Sequence, residues 1–148
     1  MIYTVRYAHL KHLPPHDIGD VLSFGDVVGI MGNTGASYGA HLHIDCVRGL
    51  QKDPWKLIDM ENYKVTPDFK QLNYFIDSDL FKGDYKITTH VASIPYQKSL
   101  GKLHLAYDVI PLKSSKNTIY YNRTRPGTVV AKGTHSGYGN YIHISFRG

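Results

Sequence analysis

The sequence predicts a mostly β fold, and three observations lead to that class. Tyrosine is abundant, with 12 residues, and occurs beside many valines and isoleucines, which are residues that favour strands. The apolar runs are short, and several alternate with polar residues as half-buried strands do. The 14 glycines often stand between these runs, where tight turns are expected. We find no heptad pattern, internal repeat or low-complexity tract.

Length and composition limit the class of protein further. A chain of 148 residues is long enough for one compact domain with a real core, and short for two. The single cysteine, Cys46, excludes an internal disulfide and a cysteine-rich zinc site. The net charge of +5 suits an anionic partner such as nucleic acid, a membrane surface or bacterial cell wall. No apolar stretch approaches the roughly 20 residues of a membrane span, and no signal peptide is visible.

The first part of the chain is predicted to form strands separated by loops. In order, the predictions are a strand over residues 1–10, a loop over 11–20, short strands and turns over 21–35, and a strand over 40–49. Residues 53–60 form the best short helix candidate, because Asp53 is a suitable N-cap and Pro54 suits the first helical position.

The second part begins with a segment of weaker periodicity. We interpret residues 56–85 as a connector, followed by two strand segments around a loop over 85–111 and a hairpin over 127–146. The sequence therefore predicts a single domain, 1–148, in which the connector joins a first half, 1–55, to a second half, 86–148.

Three histidines and an aspartate form two pairs that have the spacing of possible metal ligands. Alternate residues of a strand share a face, so His41 and His43 point the same way, and so do His104 and Asp108. Two imidazoles and a carboxylate form a common three-ligand set for catalytic zinc, with water as the fourth ligand. A lone His-x-His in a strand is more often structural, so spacing alone does not establish a site. Cys46 falls on the opposite face from His43, which indicates a buried apolar role.

The sequence around these residues resembles the lysostaphin/LytM-type zinc metalloendopeptidases of bacterial cell wall. The resemblance is carried by four segments, which read YAHL at 7–10, GDVVGIMGNTGASYGAHLHID at 25–45, LHLAYDVIP at 103–111 and GTVVAKGTHSGYGNYIHIS at 127–145. Ala40 stands where the family usually has proline. The resemblance implies an antiparallel, open barrel-like duplicated hybrid motif with a groove. It also implies zinc ligands His43, His104 and Asp108, with His9 and His41 flanking the zinc-bound water.

The order of these motifs is reversed relative to the family. The His-x-His segment comes first in this chain, whereas the family places the segment containing His104 and Asp108 first. Joining residue 148 to residue 1 would restore the family's hairpin and its motif order. The sequence therefore predicts a circular permutant, in which the connector joins the family's usual C-terminus to its usual N-terminus. The alternative is two half-domains that complete each other in a domain-swapped dimer.

The resemblance predicts an enzyme that hydrolyses peptide bonds of peptidoglycan, either in the stem peptide or in the cross-bridge. Peptidoglycan is the expected partner, and an extracellular or phage-tail location follows from it. The alternative is an inactive module of similar fold that binds the cell wall or another protein. A nucleic-acid binder would leave the histidine pattern unexplained, so nucleic acid is not an expected partner.

Overall fold

The computed structural model describes residues 2–37, 39–52, 80–89, 107–112 and 117–148. Within these ranges the chain is mostly β, and an antiparallel sheet curls into an open half-barrel. The predicted fold class is therefore confirmed. The short helix predicted over 53–60 lies outside the described ranges, as does most of the predicted connector.

Nine strands occur in the described ranges. In chain order they are β1 (Ile2–Leu10), β2 (Val21–Leu22), β3 (Val27–Ile30), β4 (Leu42–Arg48), β5 (Tyr85–Thr89), β6 (Tyr107–Pro111), β7 (Thr118–Tyr120), β8 (Gly127–His135) and β9 (Gly139–Arg147). The strands predicted over 1–10 and 40–49 are confirmed by β1 and β4, and the predicted hairpin over 127–146 is confirmed by β8 and β9.

Seven of these strands form one sheet in the order β2-β8-β9-β1-β4-β6-β5, and β3 pairs with β7 in a second, two-stranded sheet. All of these pairings are antiparallel. The central strand β1 lies between β9 and β4, so the first and last strands of the chain are direct neighbours. Residues from both halves of the sequence therefore meet around β1.

Alternation along the strands builds the hydrophobic core. On β1, Tyr3, Val5 and Tyr7 are buried in the core cluster, together with Leu42, Ile44 and Cys46 of β4. Cys46 is fully buried, as its position in the strand predicts. Leu80 and Phe81 are also fully buried in this cluster, so the described end of the predicted connector contributes to the core.

The second face of the sheet carries polar side chains that are also covered. Arg6 on β1 is only 3% exposed and faces Asp45 on β4, with which it forms two hydrogen bonds of 2.6 Å. A bidentate pair of this kind fixes the relative position of two strands, because the paired charges cannot separate in a dry environment without a large cost. The pair belongs to the face that also carries His43.

The first and last strands pair along most of their length. Ile2 is the register partner of Arg147, and the Tyr3 and Phe146 rings stack with their centroids 5.7 Å apart.

No helix in the described ranges is long and apolar enough to cross a membrane.

Candidate functional site

His43 and Asp108 meet across the pairing of β4 with β6. The two residues are register partners, although 65 positions separate them in the sequence. The neighbours of His43, Leu42 and Ile44, are fully buried in the core, so alternation places the imidazole on the opposite, polar face. There His43 Nδ1 lies 3.2 Å from Asp108 Oδ1.

His41 lies on the same face of the chain, two residues before His43. Its Nε2 is 3.5 Å from Asp108 Oδ1, and its Nδ1 donates a hydrogen bond of 2.8 Å to the Gly39 carbonyl. A carbonyl oxygen can only accept, so Nδ1 of His41 carries a proton. The structure thus brings the second predicted histidine beside the first and beside Asp108.

A bulge in β1 brings His9 to this group. Simple alternation would place His9 on the core face with Tyr7, but the register between β1 and β9 shifts between Tyr7 and Leu10. His9 has φ of +60°, a left-handed conformation that is unusual for a residue with a side chain, and its N–H donates to the Tyr138 carbonyl at 2.8 Å. Bulges commonly re-aim a side chain in this way. The His9 ring centroid is consequently 4.8 Å from that of His41 and 5.8 Å from that of His43.

The His9 ring is buried and neutral. Its pKa is lowered to about 4, chiefly because burial disfavours the charged ring. The hydrogen bond to Thr34 opposes this shift, and the neighbouring imidazoles of His43 and His41 add to it by smaller amounts. His9 Nδ1 lies 2.6 Å from the Thr34 carbonyl oxygen and donates to it. The lone pair of the neutral His9 ring is therefore on Nε2.

Thr34 organises the loop beside His9. Its hydroxyl donates to the Leu10 carbonyl at 2.7 Å and accepts the Asn140 N–H at 3.0 Å, while its own carbonyl holds His9. Gly139 has φ of +63°, and a Cβ there would overlap Thr34. The glycine-rich loop therefore packs directly on the turn between β8 and β9, and only a residue without a side chain fits at the contact.

Two residues near the site were not predicted from sequence as site residues. The Tyr138 ring centroid lies 5.7 Å from that of His43, and 5.3 Å from that of His135. His135 Nδ1 accepts the backbone N–H groups of Gly137 and Tyr138, which shapes the turn that presents the tyrosine. The Gly-Tyr-Gly stretch in the sequence indicates a turn. Its position beside β1, however, depends on the order of strands in the sheet.

The two described members of the predicted ligand set fit a zinc ion. Ligand atoms bound to one tetrahedral zinc at about 2.0–2.2 Å lie roughly 3.3–3.6 Å apart, close to the 3.2 Å between His43 Nδ1 and Asp108 Oδ1. A nitrogen and a carboxylate oxygen are also donor types that zinc accepts. No set of three such side chains in the described ranges is arranged to hold a metal by itself. The third predicted ligand, His104, lies outside the described residues.

Other histidines have contacts of their own. His143 on β9 is buried, and its Nδ1 donates to the Gln51 carbonyl at 2.8 Å. His16 in the loop before β2 contacts the Val27 carbonyl through Nε2 at 2.7 Å. Neither of these residues contributes to the group formed by His9, His41, His43 and Asp108.

Comparisons of the chain with protein-family models, with curated proteins and with solved structures find no significant match. The resemblance to the zinc metalloendopeptidases is therefore carried by the motif residues alone.

Proposed function

We propose that this chain is a zinc-dependent endopeptidase that hydrolyses a peptide bond of bacterial peptidoglycan. The observation that carries the proposal is the contact between His43 and Asp108, whose side chains approach to 3.2 Å from distant parts of the sequence. Two further imidazoles, those of His41 and His9, lie beside this pair. The lowered pKa of His9 within this cluster supports the proposal, because strongly shifted pKa values are concentrated at functional sites.

In this proposal His43, Asp108 and His104 hold the zinc ion. When bound, the ion supplies Lewis acidity toward the scissile carbonyl and makes hydroxide available at neutral pH. The carboxylate of Asp108 and the neutral ring of His43 are the protonation states in which these groups act as ligands.

His41 and His9 handle protons beside the ligands. In both rings Nδ1 donates to a backbone carbonyl, so Nε2 is the nitrogen at which each ring exchanges a proton. A ring that has received the proton becomes a donor, which can stabilise an oxyanion or protonate the leaving amine. Their backbone hydrogen bonds hold both rings in orientation, so little rearrangement is needed during the reaction.

The strand pairing supports the permuted order that the motifs indicate. β1 carries the Tyr-Ala-His-Leu segment and pairs with β9 as a hairpin partner would, with Ile2 opposite Arg147. β4 and β6 carry His43 and Asp108 and also lie side by side, within one chain. The net charge of +5 favours approach to an anionic cell wall, so we propose an extracellular or virion-borne enzyme.

Substitution of His43 tests this function. The wild-type chain should bind about one zinc and release soluble fragments from purified peptidoglycan. His43→Ala should lose both zinc and hydrolysis, because it removes a ligand. His12→Ala is the matched control, since His12 is an exposed loop residue, and it should retain both.

The outcomes separate the alternatives. A His43→Ala variant that keeps zinc and full hydrolysis would contradict the ligand assignment. A wild-type chain that binds cell walls but neither holds zinc nor releases fragments would instead be an inactive binding module.

A further inference from the structure

A cleft at the far end of the sheet has the composition of an anion site. It has a volume of about 300 Å³, and its polar lining consists of Arg125, Thr128, Ser145 and Arg147. Ile2 supplies an apolar wall. This volume is at the lower end of the range for small-molecule sites.

The strand register explains why these side chains converge. Thr128 pairs with Ser145, and Ile2 pairs with Arg147, so each pair lies side by side across neighbouring strands. Ser145 and Arg147 are two residues apart on β9 and therefore share a face. This is also the face of His43, since Ile2 and Ala8 alternate onto it and Ala8 pairs with His43. Ala8 is six positions along the strand from Ile2, so the cleft and the histidine site lie about 20 Å apart.

The charges around the cleft are unbalanced. Among the described residues, no carboxylate lines the cleft, and none forms an ion pair with Arg125 or Arg147. Asp20 is close in register, because it precedes the partner of Thr128 on β2, but its carboxylate accepts the N–H of Asp17.

We propose that this cleft binds a phosphate ester. Guanidinium groups form paired hydrogen bonds with phosphate oxygens, and the hydroxyls of Thr128 and Ser145 supply two further donors for a tetrahedral anion. The exposed side chain of Ile2 gives the carbon part of the ester an apolar surface to cover. The site is independent of the proposed hydrolysis, because it shares no residue with the histidine group.

The test is a titration of the full chain with glycerol 3-phosphate, followed by amide chemical shifts in the NMR spectrum. Shifts should concentrate at residues 125–128 and 145–147 and should saturate. Arg125→Gln and Arg147→Gln should each raise Kd about tenfold, because each removes a charge-assisted hydrogen bond. Ser145→Ala should raise Kd about threefold without changing charge. Lys86→Gln is the matched control, since it removes one charge from β5 at the other edge of the sheet.

Three results would overturn the proposal. The first is an absence of saturable shifts, or equal shifts with uncharged glycerol. The second is an equal loss of affinity in Lys86→Gln and Arg147→Gln, which would indicate diffuse attraction to the positive chain. The third is an equal affinity for inorganic phosphate, which has no carbon part to cover Ile2. That result would identify the ligand as a free anion and not an ester. A weaker Kd for inorganic phosphate supports the ester.

Discussion

His9 lies on the polar face of the sheet because of its own backbone conformation. A residue with a side chain at φ of +60° costs about 1–2 kcal/mol relative to an extended one. Here the hydrogen bonds from His9 N to Tyr138 and from His9 Nδ1 to Thr34 hold that conformation. Backbone strain of this kind persists where the surroundings support it, and it is frequent at functional sites.

Truncation of His41 separates catalysis from metal binding. His41→Ala should leave the zinc content unchanged, because His41 is not one of the proposed ligands, and should reduce hydrolysis about 10²–10⁴-fold. The measurements are metal content by elemental analysis and the rate of fragment release from peptidoglycan. Loss of zinc from the variant would mean that His41, and not His43, is the ligand.

At the scale of elements, the site depends on the contact between the loop before β4 and the turn between β8 and β9. Thr34 bonds to residues of both β1 and β9, and Gly139 leaves the space that Thr34 occupies. Three features therefore fix the positions of the site residues. They are the pairing of β4 with β6, the bulge of β1, and this loop contact.

Two glycine substitutions measure how much that contact contributes to the free energy of unfolding. Gly19 and Gly139 both have positive φ, but a Cβ at Gly19 meets nothing within 4 Å, whereas one at Gly139 overlaps Thr34. Gly19→Ala should cost about 1–2 kcal/mol of unfolding free energy from backbone strain alone. Gly139→Ala should cost about 2 kcal/mol more, because the loop must move. Urea unfolding of the two variants gives the comparison, and equal costs would show that the overlap relaxes freely.

At the scale of the whole molecule, the first and last strands behave as the two arms of one hairpin. Their pairing predicts that residue 148 can be joined to residue 1 through a short glycine turn, with new ends opened between residues 61 and 79, before the buried Leu80. The rearranged chain should keep the circular dichroism and zinc content of the parent. A rearranged chain that fails to fold would contradict the permuted relationship.

Alkaline pH should weaken the fold through its buried tyrosines. Burial raises the pKa of Tyr7 above its ordinary value, with Tyr121 and Cys46 adding to the rise, and burial also raises the pKa of Tyr121. Above about pH 10 the unfolded chain releases these protons while the folded chain keeps them, so the folded state binds more protons and loses stability as pH rises. Below that pH the contribution is fully present.

Urea unfolding between about pH 8 and 11 measures this slope. The Tyr7→Phe variant should show a shallower loss of stability, since it removes one of the tyrosines whose pKa is raised. Its stability at pH 7 should not fall much, because the Tyr7 hydroxyl has no hydrogen-bond partner among the described residues. An unchanged slope in the variant would indicate that Tyr7 does not titrate on unfolding.

The sequence by itself determined the fold class, the positions of several strands, and the fact that His41 and His43 share a strand face. These properties follow from local physics, because alternation fixes which side chains share a strand face and because valine, isoleucine and tyrosine favour strands. Burial of Cys46 follows from the same alternation.

The motif resemblance groups His9, His41, His43 and Asp108, but only the tertiary structure decided how these distant residues approach one another. Alternation assigns His9 to the core face, and only the bulge against β9 turns it toward His41. The pairing of His43 with Asp108, the approach of Tyr138, and the cleft between Arg125 and Arg147 all depend on strand order and register. Strand order is set by how the whole core packs, and no local stretch of sequence contains that information.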